Sequence, residues 1–128
     1  MDTNLIGTRE LDNGLLLKMI DESRQIAADR WLVRVRFSVA VPVSAHYNTV
    51  PKAQAPSLAD LVDALGDTGR YETLKERNFV SADEKDAVRD AIVAAYVNDA
   101  APYLGRPSFP GKFLLKAYRE HLSRVPLA

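Results

Sequence analysis

From position 31 to position 43 every odd-numbered residue is apolar: Trp31, Val33, Val35, Phe37, Val39, Val41 and Val43. Arg30, Arg34, Arg36 and Ser38 stand among the even ones. Side chains of an extended strand point alternately to the two faces of a sheet. A period of two therefore predicts a half-buried strand, with the odd row, Trp31 included, turned to the core. Seven inward positions imply a strand of about 13 residues, against a usual five or six. A strand that long bends, carries a bulge or reaches past its own domain into a partner.

The segment before it reads as the rest of a β-meander over residues 5–43. Asp12-Asn13-Gly14 is a turn signal flanked by Leu11 and by Leu15-Leu16-Leu17. Gly14 takes the positive φ that a hairpin needs, and Asn13 tolerates it. A two-residue turn would set Arg9 opposite Lys18, a repulsive pair. A three-residue turn with Gly14 as the bulge sets Arg9 opposite Leu17, which is the expected register. Residues 15–26 pair with the long strand through a turn at Ala27-Ala28-Asp29. Asp21-Glu22-Ser23-Arg24 makes a poor strand core, so that end of the hairpin is expected to protrude into water.

Downstream the period changes. Residues 44–57 contain Pro51 and Pro56 and read as a loop, long enough to be functional or mobile. Ser57 caps a helix over 58–65, with Asp60 near the positive end of its dipole and Gly66 as a stop. Residues 70–80 fit either period, and their charges favour an edge strand, with Tyr71, Thr73, Lys75, Arg77 and Phe79 on one face. Ser81-Ala82-Asp83-Glu84 matches a capping box for a helix over 82–98. Val88, Ala91, Ile92, Ala95 and Tyr96 form one stripe on it, and Val93 and Val97 lie on another side. Residues 99–109 read as mostly loop. A last helix over 109–124, capped by Ser108, has Phe113, Leu114, Ala117, Tyr118 and His121 as its apolar stripe and Lys112, Lys116 and Arg119 opposite; Arg124-Val125-Pro126 ends it.

The expected architecture is α+β: a curved antiparallel meander of three to four strands, with about three helices packed on one face. The 128 residues suit a single domain, 1–128. A hydrophobic share of 47% and a charged share of 27% exclude collagen-like, coiled-coil and wholly disordered chains. The apolar runs are far shorter than the ~20 residues of a membrane-spanning helix, and the polar Met1-Asp2-Thr3-Asn4 start does not read as a secretory signal. With no cysteine in the chain, disulfides, thiolate nucleophiles and zinc fingers are excluded. A soluble, cytoplasmic protein is expected.

Seventeen Lys and Arg balance seventeen Asp and Glu. The balance is unlike that of a polybasic nucleic-acid binder. Yet charge is segregated: residues 57–100 hold ten acidic and five basic side chains, and residues 101–128 one and five. Opposite signs in neighbouring segments suggest that the last helix packs near the acidic one or that two patches meet across a symmetric interface.

Chemistry-bearing motifs are sparse. The two histidines, His46 and His121, lack zinc-site spacing, so no metal and no cofactor are expected. Ser23 has no nucleophile elbow around it. Asp67-Thr68-Gly69 repeats the tripeptide of aspartic proteases, but it follows a helix and reads as a turn. Three readings remain. In the first, the chain is a non-enzymatic interaction or regulatory module acting as a homodimer or with a further protein partner, with Val93, Val97, Tyr103 and Phe109 as interface residues. In the second, a small ligand or substrate sits between sheet and helices, among His121, Tyr118 and Tyr96. The third is single-stranded nucleic-acid binding through Arg34, Arg36 and Lys18. It is disfavoured because Trp31 and Phe37 should point the other way.

Overall fold

The structure, a computed structural model, describes residues 4–124. The polar start at 1–3 and the stop at Val125-Pro126 lie outside the described residues. Five strands form one antiparallel sheet: β1 (Leu5–Glu10), β2 (Leu16–Asp21), β3 (Arg24–Ala27), β4 (Arg30–Pro42) and β5 (Thr68–Ser81). Helices α1 (Val43–His46), α2 (Leu58–Leu65), α3 (Lys85–Leu104) and α4 (Phe109–Arg124) complete it, so the expected α+β architecture is borne out.

β4 is the spine. Along one side it pairs with β2 from Val35 to Val39 and with β3 from Arg30 to Leu32. Along the other side it pairs with β5 over its whole length. β2 and β3 are one interrupted strand, broken at Glu22-Ser23. The expected protrusion of Asp21-Glu22-Ser23-Arg24 into water is not found, because Asp21 and Arg24 pair with Val35 and Leu32 and the Glu22 N–H donates to the Arg34 carbonyl at 2.8 Å. The break is bridged: the Ser23 hydroxyl accepts the Arg34 N–H at 3.0 Å, and the Ser23 N–H donates to the Asp21 carboxylate at 2.8 Å. β1 pairs with β2 in the three-residue-turn register, Arg9 opposite Leu17. The turn closes with Gly14 at φ +88°.

The odd row of β4 is the floor of the core. Val33, Val35, Phe37, Val39 and Val41 are fully buried, as is Val43 where α1 begins, with Leu17 and Met19 beside them from β2. Trp31 departs from the expectation. It is only half-buried, at the rim where α3 begins, with the Lys85 ammonium 4.8 Å from its ring.

Helices α3 and α4 cover this floor. α3 differs from the expected helix at both ends. Ser81 and Glu84 do meet through their side chains, at 3.1 Å, but the helix starts only at Lys85, with Glu84 as its N-cap. At the other end it runs through Pro102 to Leu104. Pro102 cannot donate to the carbonyl one turn back. The helix continues because Ala100, Ala101 and Leu104 prolong its buried stripe. Its end is held from a distance: the Asn13 side-chain amide donates to the carbonyl of Leu104, the last residue of the helix, at 2.8 Å and to that of Arg106, just beyond it, at 3.0 Å. The β1–β2 turn thus holds the end of α3.

The two stripes read on this helix merge into one. Val88, Ile92, Val93, Tyr96, Val97, Ala100 and Leu104 recur at helical spacing and all face the sheet, whereas Ala91 and Ala95 are exposed.

Between β4 and β5 the chain makes an excursion through residues 43–67. The expected loop is folded into α1 and two short 3₁₀ turns, Tyr47–Thr49 and Lys52–Gln54. The Tyr47 hydroxyl donates to the Pro56 carbonyl at 2.8 Å, and Val50 is buried. α4 lies directly on this segment. A Cβ on Gly111 would come within 1.9 Å of the Thr49 carbonyl oxygen, so only glycine allows the approach. α2 spans the expected residues, with the Ser57 hydroxyl accepting the Asp60 N–H. Asp67-Thr68-Gly69 is not a free turn: Thr68 and Gly69 open β5, paired with Pro42 and Val41.

Candidate functional site

β5 is the longest strand in the sheet, and its side chains sort by register. Tyr71, Thr73, Lys75 and Arg77 stand opposite Val39, Phe37, Val35 and Val33, hence on the helix side. Arg70, Glu72, Leu74 and Glu76 stand opposite Ala40, Ser38, Arg36 and Arg34, hence on the open side. Phe79 leaves the expected alternation. The ladder shifts between Trp31 and Val33, Phe79 takes φ +61°, and its exposed ring lies 5.5 Å from the Arg30 guanidinium. Among the described residues no strand pairs with the outer edge of β5.

On the helix side that edge borders an open groove. α3 lies over β4 and leaves a trough of about 690 Å³ walled by Lys75 and Arg77 on one side and by Ala91, Ala95, Asp99 and Tyr103 on the other. At Tyr103 the trough meets a second hollow, about 360 Å³, lined by Tyr71, Phe113, Lys112 and Lys116. The floor between them is a hydroxyl cluster. Thr73 donates to the Tyr71 phenol at 3.1 Å, and the Tyr71 and Tyr96 hydroxyls lie 3.3 Å apart. The Tyr96 ring stacks on Phe37, centroids 3.9 Å apart. Burial, reinforced by the hydrogen bond to Tyr71, raises the Tyr96 pKa well above that of a free phenol, so it stays protonated.

The opposite face of the sheet carries an ion-pair ladder. Glu22 receives Arg36 through two hydrogen bonds, 2.8 and 3.2 Å, and lies 3.4 Å from the Arg34 Nε. Glu72 takes the other side of Arg36 at 3.2 Å, and Glu76 lies 3.9 Å from Arg34. The Arg36 hydrogen bond and the charge of both arginines hold the Glu22 carboxyl below the usual carboxylate range.

The residues singled out in the sequence fall as follows. Arg34, Arg36 and Lys18 share the open face, where Lys18 stands opposite Ser38. Both arginines already face carboxylates, a phosphate would have to displace these, and Phe37 points to the other side. Tyr96 lies in the floor of the groove, whereas His121 and Tyr118, half-buried on α4, line neither it nor the adjoining hollow. The structure does not assemble the three into one pocket. Val93 and Val97 are part of the chain's own core stripe. Phe109, only 3% exposed, packs among Tyr71, Tyr103 and Phe113. Of the four interface candidates only Tyr103, 52% exposed, offers most of its surface to a partner. Sequence reasoning placed Ala91 and Ala95 in the core stripe of α3 and did not single out Asp99; the three lie one turn apart and flank the merged stripe on the side toward β5.

Among the described residues no three His, Asp or Glu side chains converge as metal ligands would, and no helix is long and apolar enough to cross a membrane. Compared with family models, curated proteins and solved structures, the chain matches none.

Proposed function

We propose that this chain is a non-catalytic interaction module of the cytoplasm that acts as a homo-oligomer, and that its working surface is the outer edge of β5 with the groove beside it. One observation carries this reading: a fourteen-residue strand whose outer edge has no partner among the described residues, running beside a part-apolar trough. A sheet edge presents backbone donors and acceptors to an incoming strand, and a flanking groove receives its alternate side chains. The other edge of the sheet is a poorer template. β1 has six residues and its register slips between Leu5 and Gly7.

Sedimentation or light scattering at tens of micromolar tests the reading. The expected mass is at least twice the 14.2 kDa of one chain. Backbone amides of β5 that do not face β4 should then exchange with solvent more slowly as protein concentration rises. A mass of 14.2 kDa at every concentration, with no change in exchange, would defeat it.

A further inference from the structure

Resting on that reading, we infer the identity of the strand that β5 accepts. It is β5 of a second copy, antiparallel, with the two-fold axis passing beside Thr73. An isologous interface pairs residue i with j and j with i. In an antiparallel ladder, directly opposite residues share a face, so the axis must pass beside one residue. The charges along β5 discriminate between the choices. Centred on Glu72, Lys75 or Glu76, the ladder sets a charge against its own copy. Centred on Leu74, it sets Glu72 against Glu76 twice. Centred on Tyr71, it sets Arg70 against Glu72, but pairs only residues 68–74. Centred on Thr73, it pairs residues 68–78, the whole run before the Phe79 bulge, and sets Arg70 against Glu76 twice. On the helix side the same register sets Lys75 against the Tyr71 ring. Because this axis is perpendicular to the sheet, both helix layers stay on one side, and the two grooves, with Ala91 and Ala95 in their walls, face each other across the dyad.

The edge charges then have two tasks. They repel slipped registers and unrelated strands, a common protection of edges, and they admit the single long register in which the signs alternate.

Charge reversal tests the register. Glu76→Lys creates two repulsive pairs with Arg70 and should raise the dimer dissociation constant about tenfold or more, an effect weakened by salt. Adding Arg70→Glu restores opposite signs and should recover most of the affinity, while circular dichroism shows all variants folded. The chain has no cysteine, so single substitutions report proximity cleanly. Directly opposite residues lie roughly 4.5–5.5 Å apart at Cα, within disulfide reach. Thr73→Cys should therefore cross-link under mild oxidation, and Leu74→Cys, displaced along the ladder, should not. A stable dimer insensitive to Glu76→Lys, or one in which only Leu74→Cys cross-links, overturns this pairing and leaves the homo-oligomer reading standing. A strict monomer overturns both.

Discussion

The two faces of β4 solve the same problem by opposite means. On the helix side Val33, Val35, Phe37 and Val39 are sealed from water by α3, and their stabilisation comes from area removed from solvent and from close packing. On the other side Arg34 and Arg36 keep about a quarter to a third of their side-chain surface and are held in place by Glu22, Glu72 and Glu76. Such exposed pairs contribute little each, typically ~0–1 kcal/mol. The helix-side face therefore supplies most of the stability.

The sharpest way to break this contrast is Phe37→Ala. It removes a fully buried ring and the stacking partner of Tyr96, and should cost about 3–5 kcal/mol in denaturant unfolding. Asn13→Ala removes the amide that holds the far end of α3 and leaves the buried Leu104 carbonyl without that donor; a loss of about 1–3 kcal/mol is expected from the same measurement. On the charged face Glu22→Gln should cost about 1 kcal/mol or less, since Arg36 keeps Glu72 and Arg34 keeps Glu76. A cost near that of Phe37→Ala would show that the ladder carries the fold.

Titration separates the faces further. Glu22 has a lowered pKa in the folded chain, so its contribution is full above the ordinary carboxylate value of about 4.3 and is lost as the pH falls through the lower folded value. Glu22→Gln should flatten that acid limb. Tyr96 has a raised pKa, so its contribution is full below the free phenol value of about 10 and is lost as the pH climbs above it. Tyr96→Phe should flatten the alkaline limb and leave the acid one unchanged.

The parts legible in the sequence are those set by local periodicity. The odd row of β4, the three-residue turn at Gly14, the edge strand after Gly66 and the two helices at 58–65 and 109–124 all follow from neighbours a few residues apart. What escaped depends on partners far along the chain. α3 outruns its expected end because its stripe keeps finding the sheet and because Asn13 reaches it from the first hairpin. Val93 and Val97 read as a second face because the angular width of the sheet's contact with α3 is a tertiary quantity. The groove beside β5 escaped for the same reason: it is the space between an edge strand and a helix. His121 and Tyr118 lie apart from Tyr96 because α4 packs chiefly on α2 and on residues 47–49, whereas the groove lies between α3 and β5.

The excursion through residues 43–67 bears on the order in which the molecule forms. Every other neighbouring pair of strands is joined by a turn of a few residues, whereas β5 can meet β4 only after that whole segment has been closed into a ring, with a correspondingly larger loss of chain entropy. The strands up to Pro42 can therefore zip early, and β5 commits late. Until it does, the side of β4 that β5 will cover stands open, with the same valine-rich backbone waiting for any strand nearby. In a crowded cell this places the risk of mispairing on a central strand during folding, whichever edge the finished molecule puts to use.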